Sequence, residues 1–220
     1  MKNLIIAIDG PSGAGKGTLA RTVAERLGYR HVDTGAMYRA VAWKAAHDGV
    51  PLDDDEAVSA IATTAVLDQV DGRIMIDEHD VTRVIRTPEV DKAAASVARL
   101  PRVREILVAR QRDLGAGGGV VMEGRDIGTV VFPGADMKIY LDASAEVRAR
   151  RRASDEAHTG SKDSLANVQS DLVARDKTDS TRAVAPLTLA TDAVYIDTSE
   201  MPIEVVVNHV LMLLTDKLLP

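Results

Sequence analysis

Short apolar runs alternate with segments of helical periodicity along most of the chain. This order predicts βα units and a parallel sheet. The predicted strands cover residues 4–9, 30–33, 120–123, 138–142 and 193–197. Helices are predicted over residues 16–27, 36–48, 88–98, 101–114, 145–153, 164–176 and 202–218, with a further helix that starts at residues 53–56. We therefore expect an open, doubly wound α/β sheet that binds its ligand at the carboxyl ends of the strands.

One segment breaks the alternation of strands and helices. Residues 66–77 carry alternating apolar and polar side chains on both sides of Asp71-Gly72, a dipeptide typical of a tight hairpin turn. The pattern predicts a small antiparallel insert. Residues 115–119 are predicted to form a flexible glycine-rich loop, and the polar residues 154–163 are predicted to form the tip of a mobile lid.

A glycine-rich run follows the first predicted strand and leads into the first predicted helix. Its sequence is Gly10-Pro11-Ser12-Gly13-Ala14-Gly15-Lys16-Gly17-Thr18. Glycines let backbone N–H groups curl around a triphosphate, and the helix dipole adds partial positive charge there. We expect Lys16 to bind the β- and γ-phosphates of ATP and the hydroxyl of Thr18 to bind magnesium. The Lys-Gly-Thr ending resembles nucleoside monophosphate kinases more than GTPases or motor ATPases.

Composition narrows the possible partners. The 220-residue chain has a net charge of −6, which argues against a broad nucleic-acid-binding surface. It contains no cysteine, and no apolar run approaches the roughly 20 residues that span a bilayer. The N-terminus runs directly into the first predicted strand, so we expect no signal peptide, a cytoplasmic location and no membrane partner.

Arginines are nevertheless crowded in three parts of the chain. They stand at positions 102, 104, 110 and 112, at 148, 150, 151 and 152, and at 175 and 182. Arginine clusters in an acidic protein favour the binding of a small polyanion at one site. Aromatic residues make up only 3% of the chain, so base recognition would rest on arginines and short polar side chains.

Two further motifs lie at predicted ends of strands. In the segment from Asp33 to Arg39, Thr34 would cap a helix, Tyr38 would lie one turn further on, and Arg39 would bind a phosphate. In the segment from Glu123 to Thr129, Arg125 would bind a phosphate and Asp126 would accept from a base amino group or a magnesium-bound water. Taken alone, these motifs also fit an ordinary capped helix and a surface salt bridge.

Six motifs in sequence order together resemble bacterial cytidylate kinases over essentially the whole chain. They are the glycine-rich run, Asp-Thr-Gly-Ala-Met-Tyr-Arg from Asp33, Ile85-Arg86-Thr87, Pro101-Arg102-Val103-Arg104, Gly124-Arg125-Asp126-Ile127-Gly128-Thr129 and Arg182-Ala183-Val184-Ala185-Pro186-Leu187. The resemblance implies a P-loop-type fold and magnesium-assisted transfer of the ATP γ-phosphate to CMP or dCMP. It also implies one domain with a core at 1–33, 115–145 and 190–220, a monophosphate-binding region at 34–114 and a lid at 146–189. We expect the protein to be a monomer.

The resemblance also implies residue roles. The acceptor nucleotide would be held by Thr34, Tyr38, Arg39, Arg104, Arg125 and Asp126, and its sugar and phosphate by Arg175, Asp179 and Arg182. Lys16 and Arg125 would act in catalysis, together with the lid residues Arg148, Arg151 and Arg152. The family usually has a serine where this chain has Ala95. Either the neighbouring Ser96 replaces it through a small helix shift, or one contact to cytosine is missing.

Two other functions share the glycine-rich run. The first is another small-molecule kinase, such as a uridylate or shikimate kinase, against which the hairpin insert and the Arg-Asp-Ile-Gly-Thr segment argue. The second is a nucleotide-dependent switch that signals by loop ordering. The chain has no Asn-Lys-x-Asp-like guanine signature, and its clustered arginines suit a second anionic substrate better than a switch.

Overall fold

The structure is a computed structural model, and it describes residues 3–70, 72–155 and 164–218. It divides into two units. The first contains Met1–Asp33, Arg112–Arg152 and Leu165–Pro220, and the second contains Thr34–Gln111 and Ala153–Ser164. None of the helices in the described ranges is long and apolar enough to cross a membrane.

The first unit is built on a five-stranded sheet. Its strands are β1 (Ile5–Asp9), β2 (Arg30–Asp33), β6 (Val120–Gly124), β7 (Met137–Asp142) and β8 (Val194–Asp197). They lie in the order β2-β6-β1-β7-β8, and every neighbouring pair is parallel. This confirms the predicted open α/β sheet. Because β1 pairs with both β6 and β7, the residues that follow these three strands meet at one edge of the sheet.

Helices cover the sheet of the first unit. They are α1 (Lys16–Leu27), α6 (Ala145–Ala153), α7 (Leu165–Thr181) and α8 (Ile203–Leu218), and α5 (Pro101–Gly115) enters this unit with its last residues. A core cluster packs strand residues such as Ile8 and Ile139 against Leu19 of α1 and Val210 of α8. α1 ends as predicted at Gly28, which has φ 67° and donates its N–H to the carbonyls of Ala24 and Glu25.

The second unit contains helices and the predicted hairpin. Its helices are α2 (Thr34–His47), α3 (Asp55–Thr64), α4 (Pro88–Val97) and most of α5, and its strands are β3 (Leu67–Val70), β4 (Arg73–Ile76) and β5 (His79–Asp80). The antiparallel register pairs Val70 with Arg73, so the hairpin is confirmed, although Asp71 of the predicted turn lies outside the described residues. Ile74 and Ile76 pack against Ala36 and Ala40 of α2.

Several boundaries differ from those predicted. Thr34 is the first residue of α2 and does not cap it, while Gly115 belongs to α5 and not to the following loop. α7 continues to Thr181, five residues beyond the predicted end, and therefore includes Asp179. Of the predicted lid tip, residues 156–163 lie outside the described part of the chain.

A buried carboxylate connects the end of β1 to the segment after β6. Asp9 is 5% exposed, and its two oxygens accept hydrogen bonds from the N–H groups of Ile127 (2.8 Å) and Gly128 (2.7 Å). These two residues open a single π-helical turn, Ile127–Val131, which the sequence pattern does not predict. Burial raises the pKa of Asp9 from 3.8 to about 6, although both hydrogen bonds oppose the rise.

The raised pKa predicts a distinctive pH dependence of stability. Folded protein binds the Asp9 proton more tightly than unfolded protein does, so this residue's contribution to the unfolding free energy falls as pH rises from about 4 to about 6.5. Relative to wild type, Asp9→Asn should therefore gain about 2 kcal/mol between pH 4.5 and pH 7.5, on top of a constant loss from its weaker hydrogen bonding. Urea unfolding at four pH values between 4.5 and 7.5 measures the difference.

Asp192→Asn provides the control for this experiment. The hydrogen bond from Lys138 holds the pKa of Asp192 below its ordinary value, so the pH window of this residue lies below about pH 4. The unfolding free energy of Asp192→Asn should change with pH in the same way as that of wild type throughout the measured range. If the unfolding free energy of Asp9→Asn also changed with pH as that of wild type does, the Asp9 carboxylate would not be destabilised by burial.

Candidate active site

The glycine-rich run forms a loop that only glycines can complete. Gly10, Gly13 and Gly15 have φ values of +144°, +80° and +98°. A Cβ atom at Gly10 would lie 1.9 Å from the carbonyl oxygen of Leu141 on β7. Positive φ at these positions turns backbone N–H groups to one side, which creates an anion-binding concavity at the N-terminus of α1. The loop thus has the backbone expected of a phosphate-binding site.

Lys16 lies at the base of this loop. The residue is 6% exposed, and its Nζ donates a hydrogen bond to the carbonyl of Pro11 (2.7 Å). Burial and the positive charge of Arg125 together lower the pKa of Lys16 from 10.5 to about 7, while the carboxylates of Glu123 and Asp9 oppose the shift. An anion bound in the loop would stabilise the ammonium form of this side chain.

A carboxylate lies against the next residue of the loop. A Cβ atom at Gly17 would be 3.1 Å from Oε1 of Glu123, so the absence of a side chain at position 17 makes room for this carboxylate at the end of β6. The same Oε1 lies 3.1 Å from Nε2 of His31 on β2. Sequence reasoning gave Glu123 no role, because its proximity to Gly17 depends on the pairing of β6 with β1.

The loop also offers oxygen ligands of the kind that magnesium prefers. Thr18 is exposed in the first turn of α1, and Glu123 approaches the same turn. In the described residues, no three His, Cys, Asp or Glu side chains are grouped to hold a metal ion. Magnesium at phosphoryl-transfer sites needs only one or two protein ligands, because phosphates and water fill the other positions. The donor set therefore fits a magnesium ion that is bound largely through phosphates.

Arg125 and Asp179 form a buried ion pair. Nε of Arg125, just after β6, donates to Oδ2 of Asp179 on α7 over 2.9 Å. Burial alone would raise the pKa of Asp179, but the charges of Arg125 and Arg175 hold it below its ordinary value. Asp126 lies 3.6 Å from Nη2 of Arg182. The structure therefore brings together the predicted residues of this group, which are Arg125, Asp126, Arg175, Asp179 and Arg182.

The arginines of α6 differ in their surroundings. Arg148 is buried: its Nη1 donates to the carbonyl of Ser12 (3.1 Å) and pairs with Asp176 (2.6 Å), and its Nε donates to Ala143. Arg151 is half-buried and donates to the carbonyl of Ala14 (3.3 Å) and to Thr198. Arg152 is half-buried as well. Neither Thr198 nor Asp176 was a predicted site residue, because no local motif surrounds them.

The second unit carries the other predicted acceptor residues. Thr34 and Tyr38 are buried on α2, and the guanidinium carbon of Arg104 lies 5.6 Å from the centre of the Tyr38 ring. Nη1 of Arg104 also donates to the carbonyl of Ala98 (3.2 Å). Arg39 is half-buried, one residue after Tyr38. Within this unit the structure thus places a guanidinium over the Tyr38 ring, an arrangement that the sequence motif alone did not indicate.

Ser96 bears on the question raised by Ala95. Ser96 is exposed on α4, and its hydroxyl lies 3.4 Å from the carbonyl of Lys92. Ala95 is half-buried on the same helix. A local hydrogen bond of this kind is common for serine within a helix. The role of Ser96 toward a nucleotide base stays a prediction.

Comparison with known proteins finds a family profile and curated relatives that all carry the same name. A profile of the cytidylate kinase family matches residues 6–216. The cytidylate kinase of Desulfitobacterium hafniense (strain Y51) is 49% identical over 219 residues, which cover 98% of this chain and 94% of that protein. The cytidylate kinase of Pelotomaculum thermopropionicum is 51% identical over 210 residues, which cover 93% of each protein.

Solved structures support the fold independently. A gluconokinase from Sinorhizobium meliloti 1021 matches with a TM-score of 0.52 and 16% identity, over 98% of this chain and 93% of that one. A shikimate kinase from Acinetobacter baumannii matches with a TM-score of 0.50 and 16% identity, over 99% and 96%. At such low identities, these matches show a shared fold and nothing about function. The family profile and relatives of about half identity along nearly their whole length, in contrast, show that this chain belongs to the cytidylate kinase family.

Proposed function

We propose that this protein transfers the γ-phosphate of ATP to CMP and dCMP, with magnesium, to give CDP and dCDP. One observation of the structure supports the proposal above others. The buried ammonium of Lys16 in the phosphate loop and the guanidinium of Arg125, just after β6 and 18% exposed, lie close enough for the charge of Arg125 to lower the pKa of Lys16. Like charges that are poorly solvated repel each other, and an anionic group bound near both would relieve this repulsion.

The residues that bind ATP, the phosphoryl donor, belong mainly to the phosphate loop. Backbone N–H groups of the loop, which spans residues 10–18 and lacks such a donor only at Pro11, surround the phosphates of ATP, and the ammonium of Lys16 neutralises charge on the β- and γ-phosphates. A bound magnesium ion would supply positive charge that offsets the negative charge of the transferring group. Thr18 and Glu123 are the residues that we expect to hold it, directly or through water.

The acceptor roles follow from the ion pairs and from the family. In the first unit, Arg125 and Arg182 bind the phosphate of the acceptor, Asp126 accepts from its base, and Arg175 and Asp179 bind its sugar. For Thr34, Tyr38, Arg39, Ser96 and Arg104, which all belong to the second unit, acceptor binding is the role that the family resemblance implies. Asp179 is suited to this role because its carboxylate is buried and held ionised by two arginines.

Phosphoryl transfer depends on the placement of the two phosphates and on stabilisation of the charge on the transferring group, and it requires no covalent intermediate with the protein. An oxygen of the CMP phosphate attacks the γ-phosphorus of ATP, the bond to the β,γ-bridging oxygen breaks, and ADP leaves. Lys16 and Arg125 stabilise the charge on the transferring group, and Arg152 supplies a further guanidinium. Orienting the two phosphates lowers the barrier by removing translational freedom before the reaction.

We also propose that the protein is cytoplasmic and monomeric.

A panel of acceptors tests the proposed function. The protein is incubated with ATP, magnesium and one of CMP, dCMP, UMP, AMP, GMP or shikimate, and ADP production is followed. We expect rapid production with CMP and dCMP and its loss when magnesium is chelated. Rapid production with UMP or shikimate alone would indicate a different kinase, and slow production that is independent of any acceptor would indicate a nucleotide-dependent switch.

Lys16→Met tests the assigned role of the lysine. Removing a preorganised charge from the transition state should lower kcat by about 10²-fold or more. The melting temperature should not fall, because the substitution replaces a poorly solvated ammonium with an apolar side chain of similar length. Lys44→Met on α2 serves as the control, since Lys44 pairs with Asp48 on the protein surface. A near-normal kcat in Lys16→Met would remove Lys16 from this role.

Asp179→Asn tests the acceptor side. Loss of a hydrogen bond to a charged group is worth about 1.5–3 kcal/mol, so kcat/KM for CMP should fall roughly ten- to a hundredfold while ATP affinity stays nearly unchanged. Asp171→Asn, at an exposed position on the same helix, should have no effect on kcat/KM. If Asp179→Asn lowers only the unfolding free energy, the ion pair with Arg125 is structural and Asp179 does not bind the acceptor.

A further inference from the structure

The outer side of the phosphate loop is held by side chains from other elements. When the N–H groups of such a loop turn inward, its carbonyl groups turn outward. The carbonyl of Ala14 accepts from Nη1 of Arg151 (3.3 Å), and the hydroxyl of Thr198 lies 3.3 Å from the same carbonyl. The carbonyl of Ser12 accepts from Arg148 (3.1 Å). Two alternate carbonyls of the loop are therefore bound from behind.

Thr198 fixes the guanidinium of Arg151 in this position. Nη1 of Arg151 donates to the Thr198 hydroxyl (2.9 Å), and Nη2 donates to the Thr198 carbonyl (2.7 Å). Thr198 is 3% exposed and directly follows β8; its N–H donates to the carbonyl of Asp142 at the end of β7 (2.8 Å). The position of Arg151 is thus set by the carboxyl ends of two strands of the sheet.

The donor capacity of Arg151 limits what else it can bind. Nη1 carries two hydrogens, and both have acceptors, namely the Ala14 carbonyl and the Thr198 hydroxyl. Nη1 of Arg148 is committed in the same way, to the Ser12 carbonyl and the Asp176 carboxylate. Contact between these atoms and a phosphate would require the loop contacts to break first.

We propose that Arg151 and Thr198 act together as positioning residues that keep the phosphate loop in its binding conformation before the nucleotide arrives. The inference rests on the proposed binding of ATP at this loop, and it differs from the direct contact with the transferring phosphoryl group that the family resemblance implies for Arg151. Thr198 is the new residue in this account. Its uncharged hydroxyl lies between the carbonyls of Asp142 (3.0 Å) and Ala14 (3.3 Å), on the outer side of the loop, so it serves the reaction only through the loop and Arg151.

A loop that is ordered in advance binds phosphates without a further entropic cost. Removing either residue should therefore weaken nucleotide binding more than it slows transfer, since bound ATP itself orders the loop. Each lost hydrogen-bonding group should raise the Kd for ATP about fivefold to tenfold. The two losses should not add, because each residue needs the other to hold the Ala14 carbonyl.

A double-mutant cycle on the full-length protein tests the proposal. Arg151→Ala, Thr198→Val and the double variant are compared for the Kd of ATP by calorimetry, for kcat with CMP at saturating ATP, and for amide hydrogen exchange at residues 12–16 without ligand. We expect a higher Kd in both single variants, no further rise in the double variant, a kcat within about threefold of wild type, and faster exchange confined to the loop.

Two controls isolate the effect. Arg150→Ala removes an exposed arginine from the same helix, and Thr215→Val removes a hydroxyl that bonds locally within α8; both should bind ATP like wild type. If Thr198→Val is unstable, Thr198→Ser restores the hydroxyl and should restore the Kd. A normal Kd in Thr198→Val together with a hundredfold loss of kcat in Arg151→Ala would overturn the proposal in favour of direct phosphate contact. Failure of the wild type itself to bind ATP would instead refute the proposed function.

Discussion

The buried ammonium of Lys16 is the constraint around which the first unit is arranged. Taking such a charge out of water is costly, and here the cost is visible as a pKa lowered to about 7. The surroundings lessen this cost without removing it: the Pro11 carbonyl accepts from Nζ, and the carboxylates of Asp9 and Glu123 lie close enough to favour the charged form. A polyanion that enters the loop completes the balance of charge. Affinity for phosphate and an unfavourable unliganded state are thus two consequences of one arrangement.

The glycines of the loop serve their neighbours as much as their own backbone. Gly10 allows the chain to pass the carbonyl of Leu141, and Gly13 allows the loop to lie close to Arg148 of α6. Gly17 leaves space for the carboxylate of Glu123. Each of these contacts brings a residue of another element against the loop. The spacing of glycines therefore records which strands and helices surround the loop, in addition to the turns that the loop makes.

Features set by local sequence were predictable, and features set by strand register were not. The phosphate loop, the cap at Gly28 and the hairpin were predicted because consecutive residues determine them. The contacts of Asp9 with Ile127 and of Thr198 with Ala14 could not be predicted, since each joins residues more than a hundred positions apart that meet only through the pairing of parallel strands. β5 is too short to produce a periodic pattern, and the extension of α7 to Thr181 runs through a polar segment without a clear stop.

In the proposed reaction, phosphate passes directly from ATP to a cytidine monophosphate that is bound at the same time. A single-turnover experiment with γ-labelled ATP, excess enzyme and CMP tests this transfer most directly. We expect the label to move from ATP to the β-phosphate of CDP in one step, with no labelled protein and no early release of inorganic phosphate. Label on the protein, or inorganic phosphate that forms at the same rate with and without CMP, would contradict it.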